Sequence, residues 1–115
     1  MTKRRKMQRF DDGFRLRAKS YEDPIFNLDV LVRDPACAVR VYLGWVHQHG
    51  YGSSKAGDGR LIVDGQPLAR ISYNGKMWRP GPWHPAAEPT RVPTHEDWEA
   101  SRDPAEWKKC LAGAR

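Results

Sequence analysis

The clearest pattern of apolar and polar positions lies between Arg60 and Pro80, where two turn signals separate short apolar runs. Asp64-Gly65 and Asn74-Gly75 are dipeptides that accept the positive φ angles of two-residue hairpin turns. They stand ten residues apart, which leaves room for one strand between them. The pattern therefore predicts a three-stranded antiparallel meander over about residues 60–80.

Two-residue loops would fix the register of this meander completely. Counting outward from the second turn places Arg70 opposite Arg79. Two like charges at facing positions destabilise a sheet unless solvent or an anion separates them, so this arginine pair is a candidate anion contact. The pairs next to the two loops would be Val63 with Gln66 and Tyr73 with Lys76.

The same register divides the meander into two faces. One face is apolar and needs a partner in the core. The other is apolar near the first turn and cationic near the second, and we expect it to be the contact surface. The apolar face would carry Ile62, Pro67, Ala69, Ile71, Tyr73, Trp78 and Pro80; the mixed face would carry Leu61, Val63, Leu68, Arg70, Ser72, Met77 and Arg79.

The segment from Pro35 to about His49 has the periodicity of a helix. Apolar residues recur every three or four positions and form one wide stripe. Asp34 suits the N-cap before a first-turn proline, and Gly50 suits a left-handed stop. We expect this main helix to pack on the apolar face of the meander. Its stripe consists of Ala38, Val41, Tyr42, Trp45 and Val46.

Two further segments precede the main helix. Residues 14–19 alternate apolar and basic side chains, which predicts a strand with one basic face. Residues 24–33 begin with an Asp-Pro helix-start signal, and we favour a helix there. Val30 and Val32 also suit a strand, so this segment is the most ambiguous of the chain.

The C-terminal part predicts short helices that close the core. Thr94 and Asp97 have the spacing of a capping box, and Asp103-Pro104 is a further helix start. The predicted fold class is α+β: the meander on one main helix, with an N-terminal strand and short C-terminal helices. We expect a flexible basic tail over residues 1–12 and a single compact domain over residues 13–115.

The positive charge is concentrated at the start of the chain. The 115 residues carry a formal net charge of +6, and residues 1–19 account for all of it, because the remainder is balanced. A basic segment of this kind attracts polyanions by releasing condensed counterions. Its basic residues are Lys3, Arg4, Arg5, Lys6, Arg9, Arg15, Arg17 and Lys19.

Nucleic acid is therefore the first candidate partner, bound mainly through its backbone. The tail and the basic strand would contact phosphates, together with Arg70, Lys76 and Arg79 on the hairpin. A winged-helix layout would fit this hypothesis, with helices at 24–33 and 35–49 and the meander as the wing. Few polar side chains on the main helix could read bases, so we expect at most weak sequence specificity.

The alternative is a small inhibitor or adaptor that docks on a larger protein with an acidic surface. Arginine, tryptophan and methionine are enriched in interfaces. The mixed face carries arginine and methionine, and Trp83 follows it closely in the chain. A phage anti-defence protein would be one example of this class. The apolar contacts would come from Leu61, Val63, Leu68, Met77 and Trp83.

The chain carries no motif that predicts catalysis. Its four histidines and two cysteines lack metal-ligand spacing, so we expect a non-enzymatic protein without metal or cofactor. No apolar run is long enough for a membrane span, and no signal-like segment follows the basic start. We therefore expect a cytoplasmic protein that acts away from membranes, with Cys37 and Cys110 as buried thiols.

Overall fold

The structure is a computed structural model that describes residues 14–112. The expected tail of residues 1–12, with Lys3, Arg4, Arg5, Lys6 and Arg9, lies outside the described residues. Single 3₁₀ turns occur at Pro24–Phe26 and Lys108–Cys110. The strands are β1 (Phe14–Ala18), β2 (Leu28–Val32), β3 (Gly59–Val63), β4 (Gln66–Ile71) and β5 (Met77–Trp78), and the helices are α1 (Pro35–His49), α2 (His95–Ser101) and α3 (Pro104–Trp107).

The five strands form one antiparallel sheet in the order β2-β1-β3-β4-β5. The predicted α+β class, the meander, the main helix and the short C-terminal helices are confirmed. The helix expected over residues 24–33 is wrong, because only a 3₁₀ turn follows Asp23 and β2 occupies the rest. Pairing with β1 buries Leu28 and Val32 in the core, which decides the ambiguity in favour of a strand.

Helix α1 is enclosed on more than one side. Asp34 accepts a hydrogen bond from the backbone N–H of Cys37 at 2.7 Å, and Gly50 ends the helix at φ 64°. Its buried residues extend beyond the predicted stripe and include Val39, Leu43 and Gly44, because the C-terminal helices cover the side away from the sheet. Within residues 14–112, no helix is long and apolar enough to cross a membrane.

Gly44 marks the closest approach between α1 and the C-terminal segment. A Cβ atom at this position would lie 2.5 Å from the indole ring of Trp107, which is itself buried. We expect Gly44→Ala to lower the free energy of unfolding by about 1–3 kcal/mol, since the ring must shift in a packed core. Urea denaturation would measure this. Gly52→Ala is the control, because a Cβ there meets no atom within 4 Å; equal stability of the two variants would contradict the expected clash.

The first hairpin has the predicted pairs next to its loop, and the second hairpin does not. Asp64 and Gly65 adopt φ angles of 54° and 76°, and Val63 pairs with Gln66. In the second turn only Gly75 has a positive φ, and the loop is three residues long. Asn74 instead accepts hydrogen bonds through its side chain, from the hydroxyl of Ser72 and the backbone of Lys76.

This longer loop overturns the predicted pairs of the second hairpin. The backbone N–H of Ser72 donates to the carbonyl of Lys76 at 2.9 Å, so Lys76 does not pair with Tyr73. Arg70 faces Trp78 rather than Arg79, which lies beyond the end of β5. The predicted arginine pair is therefore wrong by one residue of register.

A bulge between β3 and β4 shifts the faces of the meander as well. Ile62 pairs with Pro67 but Leu61 pairs with Ala69, which leaves Leu68 as the extra residue. Each one-residue slip exchanges the two faces of a strand. Leu61 and Met77, predicted on the mixed face, are buried in the core instead. In β4 the residues after the bulge keep their predicted orientation, with Ala69 and Ile71 inward, whereas Pro67 before it is exposed and lines the outer face.

The two cysteines form a disulfide, so the prediction of two buried thiols is wrong. Cys37 lies in the first turn of α1 and Cys110 in the last 3₁₀ turn, with their Cα atoms 5.1 Å apart. The bond joins positions 73 residues apart in sequence. Sequence spacing could not reveal this proximity, since it arises from packing of the C-terminal segment across α1.

Later parts of the chain cover the end of one sheet edge and the short strand at the other. Val32 of the edge strand β2 forms a bridge with Leu111, and the backbone N–H of Ala112 donates to the carbonyl of Leu31 at 2.8 Å. At the other edge, Met77 of β5 forms a bridge with Arg91. Both edges thus end against a further piece of the same chain.

Candidate nucleic-acid interface

Three arginines stand side by side on the outer face of the sheet, the face opposite α1. In the strand register, Arg17 of β1 faces Arg60 of β3, and Arg60 faces Arg70 of β4. We call these three residues the arginine row. Asp29 of β2 continues the row at one end and Trp78 of β5 at the other, so one line of facing residues crosses all five strands.

The arginine row is only partly neutralised by neighbouring carboxylates. Asp29 forms ion pairs with Arg15 and, at 3.6 Å, with Arg17. Asp58 lies 3.0 Å from Arg70. Among the described residues Arg60 has no ion-pair partner, although it stands between two other arginines. Since facing like charges destabilise a sheet, a bound anion at this place would offset that repulsion.

Arg70 is held in position by the sheet beneath it. Its guanidinium carbon lies 5.6 Å from the centre of the Trp78 ring, a cation–π geometry, and its side chain is only 20% exposed. Trp78 is fixed in turn, because its indole N–H donates to the hydroxyl of Ser72 at 2.9 Å. The buried Nε of Arg70 has no hydrogen-bond partner among residues 14–112.

A groove of about 970 Å³ runs over the arginine row, and we call it the sheet groove. One wall is the loop at residues 53–58 and the other includes Pro80 and Gly81. The loop is anchored from both sides, since the Tyr42 hydroxyl donates to the carbonyl of Gly57 at 2.9 Å and the N–H of Gly57 donates to the carbonyl of Lys19. Burial, and then the charge of Asp58, raise the pKa of Tyr42, so its hydroxyl remains a donor.

A second groove of about 530 Å³ adjoins the first, and we call it the strap groove. It lies under the proline-rich segment of residues 80–90 and is lined by Trp83 and His84 together with Arg79. The segment is anchored at its far end, where the backbone N–H of Thr90 donates to the carbonyl of Met77 at 2.7 Å. Arg70 lines both grooves and therefore joins them.

The structure brings together some of the predicted basic residues. Arg15, Arg17 and Arg70 share the outer face, and Lys19 lines the sheet groove. Arg79 lines the strap groove. Lys76 pairs with Ser72 beside the second turn and lines neither groove. Of the predicted apolar contacts, Leu68 and Trp83 are exposed and Val63 is partly exposed, whereas Leu61 and Met77 cannot touch a partner because they are buried.

Arg60 and Tyr21 were missed by the sequence reasoning. Successive side chains of a strand point to opposite faces, so Arg60 lies on the face of β3 that is opposite to the face of Leu61. This signal was hidden because the register without a bulge put Leu61 on the outer face. Tyr21 follows β1 outside any regular element, so no periodicity pointed to it.

The winged-helix layout is wrong. The first of its two helices is absent from residues 24–33, and α1 is enclosed in the core. Arg40, one of the few polar side chains on α1, is already paired with Asp97 at 2.8 Å. No described helix is therefore placed to read bases in a groove of the duplex.

One further pair of residues has the composition of a catalytic dyad. The hydroxyl of Ser101 lies 3.2 Å from Nδ1 of His47, but it donates to the carbonyl of Trp98 and the residue is only 1% exposed. A substrate could not reach it, so the pair closes the packing of α2 on α1. In residues 14–112, no three His, Cys, Asp or Glu side chains are grouped for a metal ion.

Comparisons of the chain with protein-family models, with curated proteins and with solved structures find no significant match.

Proposed function

We propose that the protein binds nucleic acid on the outer face of its sheet, by contacts to phosphate and without catalysis. The observation that carries the proposal is the arginine row, in which Arg60, without an ion-pair partner within residues 14–112, stands between Arg17 and Arg70. Arginine binds phosphate bidentately, and a row of cations gains affinity by releasing counterions from the polyanion. Such contacts position the backbone and carry little sequence information.

The basic N-terminal segment extends this proposal. Lys3, Arg4, Arg5, Lys6 and Arg9 precede β1, whose own basic side chains belong to the outer face. They would add contacts to phosphates next to those on the sheet. With nucleic acid as the partner we propose a cytoplasmic location, where cysteines are commonly reduced. Binding is therefore best measured with the disulfide formed and again after reduction.

The first test removes the central charge of the row in the full chain. Arg60→Gln should weaken binding of labelled DNA about fivefold at about 0.1 M salt, because one phosphate contact is lost. The slope of log affinity against log salt should become shallower by about 0.7–0.9. Fluorescence anisotropy over a salt series measures both quantities.

Arg102→Gln is the matched control. Arg102 is exposed and ends α2, a helix that packs on α1 rather than on the outer face. It changes the net charge equally, so a general electrostatic effect would weaken both variants alike. Equal affinity of the Arg60 and Arg102 variants, or binding that does not respond to salt, would refute the sheet face as the site.

A protein partner is the second candidate. Leu68 and Trp83 are exposed apolar residues beside the basic face, as an interface would need. Burial of Leu61 and Met77 removes two of the five apolar contacts expected for it. Capture of one acidic protein that survives nuclease treatment and is lost in Leu68→Asp would favour this inhibitor or adaptor function.

A further inference from the structure

Two aromatic side chains lie open at the grooves that border the arginine row. The rings of Tyr21 and Trp83 belong to residues that are 65% and 62% exposed. Among the other large aromatic residues of residues 14–112, Tyr42, Trp45, Tyr51 and Trp107 are buried, and Phe26 and Tyr73 are exposed to only 40% and 39%. Contact of such large apolar rings with water is unfavourable, and stacking of an aromatic ligand would remove part of that surface from water.

Each of these rings lines a groove that also contains arginines of the arginine row. Tyr21 lines the sheet groove with Arg17 and Arg60, and Trp83 lines the strap groove with Arg70. The two grooves meet at Arg70 and Pro80. A continuous surface therefore presents an aromatic ring, a row of cations and a second aromatic ring.

The backbone of Tyr21 is anchored to the neighbouring loop, and Trp83 stands beside a turn of the proline-rich segment. The N–H of Tyr21 donates to the carbonyl of Lys55 at 2.9 Å, next to the bridge between Ser20 and Ala56. Trp83 precedes a turn in which the N–H of Ala87 donates to the carbonyl of His84. A ring on an anchored backbone, such as that of Tyr21, loses little conformational entropy when a flat ligand stacks on it.

We infer that the ligand is single-stranded nucleic acid, with phosphates on the arginine row and bases stacked on Tyr21 and Trp83. This inference rests on the proposed function and narrows it. A duplex keeps its bases stacked inside, so it could use the cations but not the rings. A single strand offers both, and stacking on aromatic side chains tolerates any base.

The length of the arginine row indicates how many phosphates it could contact. Neighbouring strands are about 4.8 Å apart, so Arg17 and Arg70 are separated by two intervals, or about 10 Å. This span suits two or three phosphates of a short single-stranded segment. The two rings then hold bases on either side of that segment.

The test compares a thymidine oligomer of about 15 nucleotides with a duplex of the same length, using the full chain. Trp83→Ala should weaken binding of the single strand at least about fivefold and leave duplex binding within about twofold, since the loss of one stacked base affects only the single strand. Trp83→Phe keeps an aromatic face and should restore most of the affinity. Tyr21→Ala should act in the same direction as Trp83→Ala.

Phe26→Ala is the control, because Phe26 is exposed and aromatic but lines neither groove. The oligomer is measured as DNA and as RNA, and preferential binding of either single strand supports the inference. If Trp83→Ala and Phe26→Ala bind the single strand equally while Arg60→Gln still binds weakly, stacking is refuted and the phosphate site stands. If neither strand nor duplex binds to the wild type, both proposals fail.

Discussion

Asp97→Ala is expected to lower the free energy of unfolding by about 3–5 kcal/mol, because it leaves two arginines without their counter-charge. Asp97 is 0% exposed. One carboxylate oxygen accepts from Nε of Arg40 and the other lies near Nη1 of Arg91, both at 2.8 Å. Asp97 also completes the capping box of α2, in which it accepts from the backbone N–H of Thr94 at 2.9 Å.

The pH dependence of stability checks the same expectation. Burial by itself would raise the pKa of Asp97, but hydrogen bonds from Arg91, Arg40 and the Thr94 backbone outweigh it and lower the pKa to about 2. A carboxylate with a lower pKa in the folded state stabilises the protein above the unfolded pKa of about 4. This contribution, about 2 kcal/mol, should disappear as the pH falls from about 4 to 2.

Urea denaturation at neutral and acidic pH would measure both effects. Asp97→Asn keeps most of the shape but loses the charge, and should also lose this part of the acid dependence. Glu96→Ala is the control, since Glu96 occupies the same first turn but is exposed. Comparable losses for Asp97→Ala and Glu96→Ala would show that the buried carboxylate does not hold the arginines as described.

Removal of the disulfide is the second large effect. The double variant Cys37→Ala, Cys110→Ala should lose about 4 kcal/mol of unfolding free energy, because the bond closes a loop between positions 73 residues apart. The main consequence falls on the unfolded chain, which gains conformational freedom when the bond is removed. The native core should change less, although Cys110 is buried within it.

Chemical denaturation of the oxidised protein, the reduced protein and the double variant distinguishes the causes. Reduction should bring the wild type close to the double variant, while the double variant itself should be insensitive to reductant. If the oxidised wild type and the double variant unfold at the same denaturant concentration, the bond contributes nothing. If reduction also abolishes nucleic-acid binding, the outer face depends on the C-terminal segment that the bond secures.

The helices and turns show how far local pattern determines this fold. The helix start at Asp34, its stop at Gly50 and the capping box at Thr94 were all predictable, because each depends on side chains within one turn of the chain. The secondary structure of residues 24–33 was not predictable, because whether a short apolar run forms a helix or a strand depends on the elements that pack beside it. Here β1 supplied that strand.

The candidate site was predictable only in part, for reasons of register. Arg70 was assigned to the correct face because it lies after the bulged Leu68 and before the three-residue loop. The bulge on one side and the three-residue loop on the other each exchanged the faces of a neighbouring strand. Arg60 was thereby overlooked and Met77 misplaced, although both lie in correctly predicted strands. The alternation of side chains along a strand predicts the face of each residue only where the strand pairing has no bulge or shift.

The covered sheet edges restrict how this protein could assemble. An open edge strand offers unpaired backbone groups that a second molecule can extend into a larger sheet. Here Leu111 and Arg91 occupy those positions beside β2 and β5, and the exposed carboxylate of Asp29 adds a charge to the β2 edge. Edge-to-edge pairing of two molecules is therefore restricted at β5 and at residues 31–32 of β2.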